Sequence, residues 1–192
     1  MSGSISTSSR RKCHDRAFHA FGTGYVMETR ARSLLFWRNA KILLEVLTPV
    51  VLGYVLITFD EGGEYNAVFG VIAGIVGCFS LILTVLGAAF AWDAKWVSYI
   101  ESKKQNYKFA GQLTELGNST SIGPRKHEEE FRVLAAKLGV RDDIDHEFNL
   151  SQLEKNTGYR AAARHYQREC TGCRQIPVSM TLSDCSVCGR GR

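Results

Sequence analysis

The sequence predicts an all-α membrane protein: a two-helix transmembrane hairpin with helical cytoplasmic flanks and a small C-terminal zinc ribbon. Three observations carry that expectation. Nearly every long apolar run of the 192 residues falls between Ile42 and Trp92, although mean hydropathy over the whole chain is only -0.11. The flanks on either side are polar, charged and patterned for helices. Four of the six cysteines, Cys170, Cys173, Cys185 and Cys188, form two Cys-x-x-Cys pairs. The formal net charge of +5 suits an anionic surface, lipid headgroups or nucleic acid, without choosing between them.

Residues 1–15 open with MSGSISTSSRRK. They are Ser-rich and polar and lack the apolar core of a secretory signal, so a disordered start is expected. Residues 16–113 read as a basic helix, the hairpin and a helical extension. Phe18–Lys41 sets Arg30, Arg32, Arg38 and Lys41 among Leu34, Leu35 and Trp37. Such a run either lies along the bilayer or extends the first span.

The spans are expected at 42–59 and 67–92. The first carries only Glu45 as a charge, with Pro49 expected to kink it; the second has no charge over 26 residues. A helix of about 20 apolar residues crosses a bilayer core, and a globular core helix is rarely apolar on every face for so long. The connecting DEGGEYN holds three acids and no base, whereas residues 1–41 hold eight Lys and Arg against Asp15 and Glu28. Lys95, Lys103, Lys104 and Lys108 follow the second span. The positive-inside rule therefore predicts a multi-pass protein with both termini cytoplasmic. Trp37, Trp92 and Trp96 stand where interfacial aromatics belong.

Gly70, Gly74 and Cys78 share one small face of the second span. Two readings stand: packing within the hairpin, or a seam between copies in a homo-oligomer. Glu45 likewise either snorkels to the interface or contributes a polar ring to a pore or gate.

Residues 125–168 read as a cytoplasmic helical region. HEEEFRVLAAKLG is a short amphipathic helix ending near Gly139. The acids Asp142, Asp143, Asp145 and Glu147 then read as a solvated turn, with a divalent-cation site as the alternative. Ser151 and Glu154 have capping-box spacing and open a helix from Gln152 to about Arg168.

Residues 169–192 form the expected zinc ribbon. Two Cys-x-x-Cys knuckles bring four soft thiolates to one tetrahedral Zn²⁺, and four protein ligands leave no open position, so the ion is structural. The ribbon either staples the cytoplasmic helices or contacts phosphate; nucleic acid is less favoured because the aromatic platform expected for base stacking is absent. No catalytic residues are expected. The five histidines are scattered, and no phosphate-binding glycine loop or nucleophile–base order stands out.

The cysteine spacing, with two apolar spans and helical flanks, resembles a mobilome family of small bacterial membrane proteins named for CxxCx(11)CxxC. The hairpin with its flanking helices, roughly Arg16 to Arg168, is more distantly similar to SLATT two-span effectors. Those resemblances imply an inner-membrane antiphage or conflict effector that oligomerises and permeabilises the membrane when triggered, by a nucleotide second messenger or a sensor protein. The alternative is a non-pore membrane adaptor that binds a partner protein or nucleic acid through the ribbon.

Overall fold

The computed structural model describes residues 7–58 and 65–190, and these form five helices: α1 (Thr7–Thr58), α2 (Tyr65–Ala89), α3 (Trp92–Asn118), α4 (Pro124–His146) and α5 (Gln152–His165). They divide into two compact units. Unit 1 holds the chain up to Thr29 and from Tyr99 onward; unit 2 is Arg30–Ser98. Residues 1–6 and most of the acidic connection between the spans lie outside the described residues.

The helix begins at Thr7, where a disordered start through residue 15 was expected. Tertiary contacts explain the difference. The Ser9 hydroxyl sits 3.2 Å from His127 Nδ1 and 3.3 Å from Glu128 Oε2, and Arg10 donates to the Ser119 carbonyl at 3.2 Å. Short polar helices are marginal alone and form when partners hold them. From there α1 continues for 52 residues with Pro49 inside it, so the basic run and the first expected span are one helix.

A single helix was expected through Trp92 and beyond, but the chain breaks at Ala91. That residue takes a left-handed φ of 49°, and the Phe90 N–H closes the end of α2 on the Leu86 carbonyl at 2.9 Å. Asp93 then stands in the first turn of α3, where a carboxylate complements the helix dipole.

Unit 1 packs the first part of α1 against α3, α4 and α5. Its core is small: Ala17, Ala20, Ala110, Leu113 and Leu138 in one cluster, Phe18, Ala162 and Ala163 in another, with Phe21 and Tyr166 against both. Alanines at the contacts let the helices approach closely. At the α1–α5 crossing even alanine is too large. A Cβ on Gly158 would lie 2.7 Å from the Gly22 carbonyl oxygen, and one on Gly22 would lie 3.0 Å from that of Gly158. Gly158→Ala is therefore expected to destabilise unit 1 by about 1–3 kcal/mol despite its better helix propensity. Gly139→Ala on α4, where a Cβ meets nothing, should gain up to ~1 kcal/mol. Thermal melts followed by circular dichroism compare the two; equal shifts would remove the crossing argument.

α4 runs seven residues past Gly139 to His146, and the expected acidic turn is helical. Asp145 is not solvated. It is 5% exposed and accepts from Ser102 Oγ at 2.7 Å, Asn106 Nδ2 at 2.6 Å, and Arg141 Nε and Nη2 at 2.9 and 2.6 Å. That knot ties α4 to α3. His127, fully buried, adds a second tie by donating from Nε2 to the Leu116 carbonyl at 3.1 Å.

Unit 2 places apolar side chains outward on both helices, among them Leu43, Val46 and Val50 of α1 and Val71, Ile75, Leu81 and Val85 of α2, each around 60% exposed. Several of its polar groups pair between α1 and the helices that follow. Glu45 Oε1 accepts from Thr84 Oγ1 at 2.8 Å and lies 3.7 Å from Lys41 Nζ. Arg38 donates to Asp93 at 2.7 Å and stacks 4.6 Å over the Trp96 ring, beside the Trp37–Trp92 pair. Among the described residues one helical stretch, Gly70–Ala89, is long and apolar enough to cross a membrane, with a mean hydropathy of 2.4. The expected first span, 42–59, ends outside them.

Candidate metal centre

The local sequence sets the clip from α5 onward. Ser151 caps α5 with the expected capping box: its hydroxyl accepts from the Glu154 N–H, and the Glu154 carboxylate accepts from the Ser151 N–H at 2.8 Å. The helix ends at His165, three residues before the expected Arg168. Gln167 takes a φ of 50°, and the Arg168 N–H returns to the Ala163 carbonyl at 2.8 Å. This reversal delivers Cys170 against the side of α5 instead of continuing along its axis.

Each knuckle is a tight turn with an N–H aimed at its leading sulfur. Gly172 N donates to Cys170 Sγ and Val187 N to Cys185 Sγ, both at 3.4 Å. The Arg174 N–H closes the first turn on the Cys170 carbonyl at 2.8 Å. Glycines are required beside both. A Cβ on Gly172 would meet Val187 at 2.9 Å and Cys185 Sγ at 3.0 Å; one on Gly189 would collide with the Ser183 carbonyl.

The four sulfurs lie within 4.8 Å of one another, with Cys170–Cys185 at 3.9 Å and Cys173–Cys188 at 3.8 Å. A tetrahedron of Zn–S bonds of about 2.3 Å has S···S edges of about 3.8 Å. A disulfide needs about 2.05 Å. The donor set therefore fits a structural zinc ion, with no position left for substrate.

The thiols are not equivalent. Donation from the Cys188 and Val187 backbone N–H groups pulls Cys185 down to about 6, and burial pushes Cys188 up to about 12. Cys185 therefore favours the thiolate, whereas Cys188 favours the thiol until a metal takes the proton's place. Four thiolates on one divalent ion carry two net negative charges, and Arg160 Nη1 stands 3.7 Å from Cys188 Sγ to offset them.

One face of α5 holds the clip in place. Asn156 Nδ2 donates to the Ser186 and Gly189 carbonyls, each at 2.9 Å. Arg160 donates to the Ser179 carbonyl at 2.8 Å and to the Cys188 carbonyl at 3.1 Å. Tyr159 OH accepts from the Thr171 N–H at 3.1 Å. Asn156 and Arg160 are both buried. The clip is thus fastened to the helix before it, the staple arrangement. By residue type Arg160 is only a basic side chain of the helix that opens at Gln152. The missed signal was the spacing of Asn156, Tyr159 and Arg160, which puts all three on one face of the helix that leads into Cys170.

The other singled-out residues lie elsewhere. Gly70 and Gly74 would present a Cβ to open space, and Cys78 is exposed, so among the described residues no packing engages that face. Glu45 is bonded to Thr84 as described. Asp142 lies 3.8 Å from Arg16 and Asp145 is buried, so the acidic run is not gathered into a cation site. Among the described residues, the four cysteines are the one cluster that could hold a metal.

Fold and site together define a class: an all-helical protein whose C-terminal tail is closed by a four-thiolate structural metal clip. The family model described as mobilome CxxCx(11)CxxC protein matches residues 10–191, and the chain belongs to that family. No curated protein and no solved structure matches it.

Proposed function

We propose that this chain is a bacterial inner-membrane protein of mobile elements, anchored by unit 2 as a two-span hairpin with both termini cytoplasmic. It acts as an effector: copies associate, and unit 1 receives the trigger that leads them to permeabilise the membrane. The observation that carries the anchoring is the outward apolar surface on both helices of unit 2. In water such a surface drives aggregation, and in lipid it is the expected one. Association of copies is supported by the Gly70–Gly74 face, which has no neighbour among the described residues and lets a second helix backbone come close.

A second reading, a membrane adaptor without a pore, is favoured by one observation. Glu45, the acid of the expected first span, is engaged by Thr84 and Lys41 of its own chain, which suits a role in joining α1 to α2 rather than in an ion path.

Induced expression in cells loaded with a membrane-potential dye, with flotation of the membrane fraction, separates these readings. Sedimentation with membranes and a collapse of potential that Gly74→Leu abolishes supports the effector. Sedimentation with membranes at intact potential, under every trigger tried, leaves the adaptor. Recovery of the intact chain in the aqueous supernatant sinks both.

A further inference from the structure

Two basic segments at opposite ends of the sequence meet in unit 1. Arg10, Arg11 and His14, early in α1, and Tyr166 and Arg168, just past α5, line a cavity of about 410 Å³. That volume lies within the range of about 300–1,000 Å³ typical of small-ligand pockets. We propose that this cavity binds the phosphate or diphosphate group of a phosphorylated ligand. The inference rests on unit 1 alone and does not depend on how unit 2 meets a membrane.

The charge balance is the first argument. Among the described ion pairs, these three guanidiniums share a single carboxylate. Asp15 lies 2.8 Å from Arg168 Nη2 and 3.9 Å from Arg11 Nε. Three cations against one anion leave two positive charges on one small cavity. Arg10 supplies the second argument. It lines the cavity and donates from Nη2 to the Ser119 carbonyl at 3.2 Å, yet its Nε is buried with no hydrogen-bond partner. The Ser119 contact fixes the Arg10 guanidinium beside the cavity, where a charged donor pairs strongly with an anion.

The third argument is preorganisation. Arg168 follows the left-handed Gln167, is anchored by its own N–H on Ala163, pairs with Asp15, and stacks 5.3 Å over the Phe18 ring. The ring of His14 is fitted against Gly117, where a Cβ would come within 2.9 Å of Nε2. Planar guanidiniums held in place recognise phosphate oxygens in pairs, which flexible surface lysines do not. The ligand is read through its phosphates rather than a base. The Tyr166 hydroxyl is paired with Thr114 at 3.3 Å and its ring packs on Phe18 and Phe21, so no open stacking platform remains.

The test uses full-length, zinc-loaded protein in neutral detergent and titrates inorganic pyrophosphate calorimetrically. The same protein in nanodiscs, with and without phosphatidic acid, is compared for binding to the headgroup. Arg11→Glu changes an exposed side chain, and Arg168→Gln removes a half-exposed one, so both should fold. Arg132→Glu, on exposed α4, is the matched charge control. Saturable pyrophosphate binding, weakened about tenfold or more in both cavity variants but not in the control, is the expected result for loss of one charge-assisted pair. Binding confined to the phosphatidic acid discs, with the same variant pattern, assigns the phosphate to a lipid headgroup. No saturable binding of either probe overturns the proposal, and so does an equal loss in Arg132→Glu. An oligonucleotide that binds more tightly than pyrophosphate and is indifferent to the cavity variants overturns it as well.

Discussion

Cys188→Ser, or a strong zinc chelator, is expected to unfold the tail from Cys170 onward while α1 to α4 stay helical. The clip has almost no core of its own. Its buried residues are Cys170, Pro177, Cys188 and Gly189, two of them metal ligands. A structural zinc in such a setting contributes roughly 10–16 kcal/mol of apparent binding free energy, and without it the segment has nothing to fold around. Cys188 should be the most damaging ligand to change. It is 1% exposed, and its carbonyl and sulfur both take Arg160, whose guanidinium would be left buried and unpaired. Elemental analysis should find one zinc per wild-type chain and none in Cys188→Ser, with new protease cleavage between α5 and the C-terminus. Cys13→Ser and Cys78→Ser should keep their zinc. Stoichiometric zinc in Cys188→Ser would falsify the four-thiolate assignment. The pH dependence has a defined sign. In the metal-free clip Cys188 is protonated at neutral pH, so zinc binding releases a proton there. Acid drives that equilibrium backward, and the stability due to the metal is present at neutral pH and lost as pH falls. The depressed Cys185 should take up its proton after Cys188 does.

The clip was legible in the sequence because its information is local. Spacing and residue type fix a tetrahedral thiolate site whatever surrounds it, and Ser151 with Glu154 fixes the start of α5 by the same kind of short-range rule. The helical class was legible from periodicity, and the apolar middle from composition. What escaped was set by contacts far apart in the chain. Ser9 and Arg10 look like a disordered polar start until His127 and Ser119 are brought beside them. Gly22 looks like an isolated glycine until Gly158, 136 positions later, lies across it. Asp145 looks like one acid in a solvated run, and its three neighbours of like charge conceal that it alone is buried. The break at Ala91 had no signal of the usual kind, because neither Gly nor Pro stands there; only Asp93 hinted at a new helix start.

Asp145→Ala should be the most destabilising single substitution outside the metal site. The carboxylate receives four hydrogen bonds from Ser102, Asn106 and Arg141, all at 2.6–2.9 Å. Removing it leaves a guanidinium that is 8% exposed with no counter-charge, and it strips two buried polar side chains of an acceptor. Breaking one partner of a buried ion pair costs about 3–5 kcal/mol, far more than the pair itself contributes, because the remaining charge stays desolvated. At about 2–4 °C per kcal/mol for a chain of this size, the melting temperature should fall by roughly 6–20 °C. Arg141→Met should be nearly as damaging, because the carboxylate is then the stranded charge. The double variant Asp145→Leu with Arg141→Met removes both charges and should recover much of the loss, with a coupling energy of about 1–3 kcal/mol in the cycle. Melts in detergent, with zinc content checked in parallel, measure all four corners. An Asp145→Ala protein within ~1 kcal/mol of wild type would mean that the α3–α4 contact does not depend on this knot. Additive single losses in the double variant would mean that the two side chains act separately. α3 starts among the residues of unit 2 and ends in unit 1, where the knot clamps its middle turns to α4.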